Sequence, residues 1–327
     1  TMKPFLNIKS NIPDGEAHVM PDGKVYIYGS LDTKEDSWCS NQYKVISSAD
    51  LEQWVESEIS FSIKDVPWAD EIQEPAYLDN VKSYNELPEA ILPFLPEETR
   101  EMPIDQFLPI LRNILIEQQK NKSLFAPDCI YKDGKYYLYF CLSDDTEGVA
   151  VSDSPTGPFK NAVKLPVKGI DPAVFVDDDG QAYYYWGQFS SCGAKLNPDM
   201  MSIDESTIVE GLVTEKEHHF HEGSSMRKRG DTYYYVFADI SSGRPSSLGY
   251  ATSKSPLGPF TYQGVIVDNI SLNEESWNNH GSIEEVNGQW YVFFHVSTNG
   301  QYLRRACMVP IEFDENGLIK KVDLENE

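Results

Sequence analysis

The sequence contains no apolar run of about 18 residues, the length a membrane-crossing helix needs. Its opening stretch, TMKPFLNIKSNIPDGEA, has no apolar core of the kind a signal peptide carries. Positive charge is scarce, with 27 Lys and Arg against 52 Asp and Glu and a net charge of -25. Nucleic acid and anionic membranes are repelled by such a surface at long range, so neither is expected as a partner. A neutral sugar is unaffected. Cys39, Cys129, Cys141, Cys192 and Cys307 are scattered without a C-x-x-C pair, which excludes a zinc ribbon or a disulfide framework and leaves buried free thiols. The cysteines and the missing leader point to a reducing bacterial cytoplasm, or to secretion if a signal peptide has been removed. Oligomeric state is left open.

What the chain does have is tyrosine and repetition. With 19 Tyr to 15 Phe, it suits pleated, half-buried strands and flat sugar-stacking surfaces better than helical bundles. The pattern Gly-x-x-Tyr-x-aromatic occurs five times, at Gly23, Gly134, Gly180, Gly230 and Gly288. Four of these glycines follow Asp or Asn, the chemistry of a tight hairpin turn, and each precedes an alternating aromatic strand. A second half-unit recurs as VSDSPTGPF at 151–159 and TSKSPLGPF at 252–260, with SSADLEQW at 47–54 as a degenerate copy. Short strands in this rhythm predict an all-β, five-bladed β-propeller spanning 1–327 as one catalytic domain.

A partly helical insertion of about 61–123 is expected between the first and second copies. Within it Ile104, Phe107, Leu108, Leu111, Ile114 and Leu115 recur at helical spacing despite Pro109. Two places remain open for it, the flank of the propeller or a wall of a substrate cleft.

The first strand of each blade lines a shared axis. Reading back from each turn glycine to the start of that strand gives Asp14, Asp128, Asp171, Glu222 and His280, all ionisable. Like charges aimed at one axis repel, so a functional cluster explains them better than a structural repeat. Grouped carboxyl groups without His or Cys ligand pairs suit glycosidic chemistry, in which one acid protonates the leaving oxygen and another carboxylate activates water or attacks carbon. A third carboxylate nearby raises the acid's pKa and keeps it neutral near pH 7.

The blocks IPDGEAHVMPDGKVYIYGSLD, FAPDCIYKDGKYYLYF, GIDPAVFVDDDGQAYYYWG, HEGSSMRKRGDTYYYVF and NNHGSIEEVNGQWYVFFH, taken in order, resemble glycoside hydrolase family 43. The resemblance implies a five-bladed propeller that hydrolyses arabinofuranosides and xylosides with inversion. It implies Asp14 as general base, Asp171 as the residue that tunes and orients the acid, and Glu222 as general acid. It also implies that His280 lies near a structural calcium or its water shell in the central channel, while the chemistry itself requires no cofactor.

Phe125, Asp128, Trp186 and Arg305 are the expected substrate-binding residues. Many relatives have Trp-Ala-Pro-Asp where this chain has Phe125-Ala126-Pro127-Asp128, so the aromatic platform is altered or comes from another ring. Trp38, Trp186 and Trp277 are either stacking surfaces or core, and Arg304 and Arg305 either bind hydroxyls or are solvated. His218, His219 and His221, as neighbouring strand residues, cannot all share one face.

Gly15 stands where many members have Pro, which resembles a subset with IPDGE-type starts and suggests an arabinofuranosidase more than an endo-acting arabinanase. The expected activity is therefore exo-acting, inverting release of terminal α-L-arabinofuranose from arabinoxylan-type oligosaccharides, with β-D-xylosidase as side or main activity. Inversion requires the two carboxyl groups to stand ~6.5–9.5 Å apart. A noncatalytic sugar-binding propeller would not need three axial carboxyl groups. A retaining fructosidase-type propeller would open with an Asn-Asp-Pro-Asn type motif, which is missing here.

Overall fold

The computed structural model describes residues 4–88, 91–92 and 95–325. Among these residues the strands form five antiparallel sheets, each built from one copy of the repeat. The first holds β1 (Glu16–Val19), β2 (Val25–Tyr28), β3 (Gln42–Ser48) and β4 (Val55–Ser62). The second holds β5 (Asp128–Lys132), β6 (Lys135–Cys141), β7 (Thr146–Ser152) and β8 (Lys160–Lys168). The third is β9 (Ala173–Val176), β10 (Ala182–Trp186), β11 (Ser190–Leu196) and β12 (Ile203–Thr214). The fourth is β13 (Phe220–Arg229), β14 (Thr232–Asp239), β15 (Ser247–Ser253) and β16 (Thr261–Asp268).

The fifth sheet has three strands, β17 (Ser282–Val286), β18 (Gln289–Val296) and β19 (Arg305–Pro310). The start of the chain completes its outer edge. Met308 N–H donates to Pro4 O (2.9 Å) and Leu6 N–H to Ala306 O (3.0 Å). The first strands β1, β5, β9, β13 and β17 pack beside one another in a ring, so the molecule is a five-bladed β-propeller.

The turn glycines act as their sequence context predicts. Between β5 and β6 the two-residue turn is Asp133-Gly134, with φ of 50° and 88°, and between β17 and β18 it is Asn287-Gly288, with φ of 51° and 83°. Positive φ at both positions matches the twist of the hairpin strands.

Each second strand is buried on both faces because a blade is packed between two neighbours. Thus Tyr28, Leu138, Tyr139, Tyr184, Tyr185, Tyr234 and Tyr235 are all core residues. Burial explains the tyrosines only if their hydroxyls find partners, and at one repeat position three of these partners lie in the next blade. Tyr28 OH donates to Pro155 O (2.5 Å), Tyr139 OH to Met200 O (2.6 Å) and Tyr185 OH to Pro256 O (2.6 Å). One repeat position therefore ties three successive blade pairs. In the fourth blade Tyr235 turns to Ser224 Oγ instead (2.7 Å), and the fifth has Phe293.

The insertion forms a second compact unit, Pro67–Lys122. It starts later than the expected position near 61, because Phe61 and Ser62 finish β4. Helix α1 (Ile104–Gln119) carries Pro109 and buries Phe107 and Leu111, which pack with Leu78 and Leu87 from this unit's own short 3-10 turns. Ile114, expected on the apolar face, is exposed.

Candidate active site

Asp14, Asp171 and His280 each stand two residues before an inner strand, β1, β9 and β17 respectively. Asp14 and Asp171 have φ of 62° and 57°. The left-handed region is strained for most side chains and tolerated by Asp. Glu222 lies within β13, where the register with β14 slips between Glu222 and Ser225. The slip is centred on Gly223, at φ 78°, where a Cβ would come 2.9 Å from the His280 ring. The glycine thus lets His280 close over the bulge. His280 Nδ1 sits 3.8 Å from Asp14 Oδ1 and 3.9 Å from Asp171 Oδ2, linking the two aspartates.

Asp14 is held by three hydrogen bonds. Its N–H donates to His295 Nδ1 (3.0 Å), Ser30 Oγ donates to Oδ2 (2.7 Å), and Arg304 Nη1 donates to Oδ1 (3.2 Å). Arg304 is itself fixed by Asp32, through Nε (2.8 Å), Nη2 (2.9 Å) and its backbone N–H (3.0 Å). Asp171 N–H donates to Cys141 Sγ (3.4 Å), and Gln188 Nε2 donates to Glu222 Oε2 (3.1 Å).

These surroundings push the carboxyl groups apart. Burial alone would raise the Asp14 pKa, but the Arg304 guanidinium, the two imidazoles and Ser30 outweigh it and hold Asp14 below the usual carboxylate range. Both imidazoles are pushed down by burial, His295 to about 4, so at neutral pH Arg304 is the cation that acts. Burial and the Asp14 charge push Glu222 up to about 7, against weaker opposition from Arg304 and Gln188. Burial, Glu222 and Asp14 together lift Asp171 well above its ordinary value. Near neutrality the cluster contains one ionised carboxylate, Asp14, and protonated or readily protonated partners.

Asp128 does not belong to this ring, contrary to expectation. It pairs with Tyr139 as Glu16 pairs with Tyr28, so its repeat equivalent is Glu16, one step deeper along the axis. There His18 Nε2 lies 2.7 Å from Asp128 Oδ1, and Arg227 Nη2 lies 3.0 Å from Glu16 Oε2 and 2.6 Å from Ala17 O. Asp128 is fully buried and cannot touch a sugar from this place. Glu16, His18 and Asp128 form a three-donor group, but Arg227 already supplies positive charge to it. His280 is outside that group, and its buried Nε2 has no protein partner.

Other expected contacts divide. Phe125 is half-buried, its N–H donating to the carbonyl of Cys141 (3.0 Å), the residue whose Sγ accepts from Asp171 N–H. Trp186 is core instead of a platform: it stacks on Tyr184 at 5.6 Å inside the layer between the second and third blades. Trp38 and Trp277 are half-buried. Arg305 is exposed and lies over the Phe5 ring at 4.3 Å, so Arg304, its neighbour, is the arginine of the site. His218 ends the short helix α2 (Glu215–His218) and bonds to Phe260 O, not to a shared histidine face. Ser30, Asp32, Gln188 and His295 were not singled out by the sequence: Ser30, Asp32 and His295 lie inside the blocks that carry the resemblance, but nothing in their spacing sets them apart from their neighbours.

A five-bladed propeller with an arginine-held carboxylate facing a raised-pKa carboxyl group at one end of its axis defines a glycoside hydrolase. The comparisons give the same class. The profile described as glycosyl hydrolases family 43 matches residues 110–319, and the chain belongs to that family.

Among curated relatives, a xylosidase/arabinosidase from Thermoclostridium stercorarium is 29% identical over 98% of this chain and 66% of the relative. A β-xylosidase from Xylanibacter ruminicola is 34% identical over 62% of this chain and 75% of its own length. Among solved structures, a β-xylosidase/α-arabinofuranosidase from a compost microbial metagenome, in complex with xylotriose in a calcium-free form, superposes with TM-score 0.72. It is 29% identical and covers 98% of this chain and 97% of its own. An α-L-arabinofuranosidase from Clostridium thermocellum gives TM-score 0.64 at 26% identity, covering 97% and 95%.

Proposed function

We propose that this glycoside hydrolase is an exo-acting, inverting enzyme that removes terminal α-L-arabinofuranosyl and β-D-xylosyl residues from arabinoxylan-type oligosaccharides. The observation that carries the reading is the unequal setting of the two carboxyl groups. Asp14 accepts directly from the guanidinium of Arg304, whereas Glu222 accepts from the neutral amide of Gln188 and feels Arg304 as a weaker opposing charge. Asp14 takes the proton of a water that attacks the anomeric carbon, and Glu222 protonates the departing oxygen from the other side. Burial and the Asp14 charge keep the proton on Glu222, and Asp171, with His280 beside it, orients the acid.

L-arabinofuranose and D-xylopyranose present similar hydroxyl patterns to a shallow pocket, and the relatives' names span both sugars. Calcium favours six to eight oxygen ligands. The unpartnered His280 Nε2 suits a water of such an ion's shell, while the ring's other nitrogen, Nδ1, faces Asp14 and Asp171. A bound calcium would add positive charge to the channel.

Parallel hydrolysis of nitrophenyl α-L-arabinofuranoside and β-D-xylopyranoside, with NMR of the first-formed anomer, tests the proposal. Activity on both with inversion is expected. Retention, or no activity on either glycoside, would overturn it.

A further inference from the structure

The chain between β10 and β11 runs alongside the residue pair that ends in Glu222. Gln188 reaches the Glu222 carboxyl, and the next residue, Phe189, donates its N–H to His221 O (2.8 Å). Phe189 O in turn accepts from Glu215 N–H (2.9 Å), so both sides of this peptide segment are fixed to the same blade boundary.

Two features of Phe189 have no value for folding. Its φ is 65°, a strained conformation for a bulky residue. The residue is 54% exposed, the one phenylalanine among the described residues that is largely open to solvent. The ring is nevertheless oriented, because His221 meets it edge-on at 5.4 Å and 84°. A strained backbone that presents an oriented, solvent-facing ring is a candidate for binding, since burial gains nothing from it.

The side of the site on which it stands follows from the chemistry. A general acid lies next to the glycosidic oxygen, so the groups flanking it face the sugar on the leaving side. We propose that Phe189, backed by His221, is the stacking platform for the leaving-group sugar, and so selects a pyranose such as xylose at the reducing side of the cleaved bond. Pyranose rings offer an apolar C–H face that fits a flat aromatic ring. This inference rests on Glu222 being the acid. The role expected of Trp186, three residues earlier, passes to Phe189.

The experiment compares two substrates that differ only in the leaving group. Parent enzyme, Phe189→Ala and Phe189→Trp are assayed on xylotriose or arabinofuranosyl-xylobiose, whichever the parent cleaves faster, and on the matching glycosyl fluoride, which places no sugar in the leaving subsite. In Phe189→Ala the loss of kcat/KM on the oligosaccharide is expected to exceed the loss on the fluoride by about 5- to 10-fold, the worth of one stacking contact. Phe189→Trp should recover most of that difference. Equal losses on both substrates, or none on the oligosaccharide, would overturn the platform while leaving the glycosidase reading intact. A parent inactive on both substrates would remove the glycosidase reading and the platform with it.

Discussion

Arg304 sets the ionisation of the whole cluster, and replacing it by Gln isolates that role. The guanidinium lies 3.2 Å from Asp14 Oδ1. At an effective dielectric of about 20, a charge pair at that distance is worth about 5 kcal/mol, and one pKa unit corresponds to about 1.4 kcal/mol. Loss of the whole interaction would raise Asp14 by nearly four units; water entering the vacated space recovers about half, leaving a rise of about two units.

Arg304 also restrains Glu222, whose pKa is pushed up to about 7 with the arginine present. Removing the cation therefore moves both limbs of the kcat/KM profile to higher pH. The acid limb shifts by about two units, so activity on the acid side falls by about tenfold for each unit below the new limb. The assay is kcat/KM against pH on a nitrophenyl glycoside. Because Asp32 would be left with a buried unpaired charge, the double variant Arg304→Gln, Asp32→Asn is measured beside the single one, with thermal unfolding to show that both are folded. A folded variant whose acid limb does not move would refute the assignment of Arg304 as the counter-ion of the base.

Three further outcomes follow from the site and the blades. Glu222→Gln should lower kcat/KM on xylo-oligosaccharides by about 10²–10⁴-fold and much less on glycosides with activated leaving groups; equal losses on both would argue against Glu222 as the acid. Arg305→Ala should leave kcat/KM on both nitrophenyl glycosides within about twofold, since its side chain is exposed over Phe5; a large loss would return Arg305 to the substrate site. Tyr139→Phe should cost about 1–3 kcal/mol in denaturant unfolding, because it strands the buried carbonyl of Met200, and an unchanged midpoint would show that the inter-blade hydrogen bond contributes nothing.

The propeller was readable because its signal is local: a turn at positive φ that glycine adopts without strain, followed within five residues by aromatics that both neighbouring blades bury. The axial residues were readable only as far as spacing is kept. Asp14 lies nine residues before Gly23 and Asp171 nine before Gly180, but Asp128 lies six before Gly134, and that difference already marks it as a deeper residue. Glu222, eight residues before Gly230, was reached by the same reading back although the bulge at Gly223 displaces it from the spacing that Asp14 and Asp171 keep, and the family resemblance added its role.

Partners such as Arg304 and Asp32 have no periodic signature, because 272 residues separate them and only ring closure brings them together. Between Arg304 and Arg305 strand alternation alone could not choose, since the residue that matters stands just outside β19. The insertion was placed too early because β4, with the sequence VESEISFS, is polar enough at an outer edge to read as a change in composition.

The pairing of Pro4–Leu6 with β19 is a seam, and catalysis depends on it being sewn. Asp14, the proposed general base, comes from the first blade, and the guanidinium that holds its pKa down comes from the last. Joining strands some 300 residues apart instead of 30 adds only about 2 kcal/mol of loop-closure entropy, so the seam is thermodynamically cheap but necessarily late. During synthesis the first strand waits for the last. Recovery of enzymatic turnover during refolding would therefore time the closing of the ring itself, and not merely the collapse of its blades.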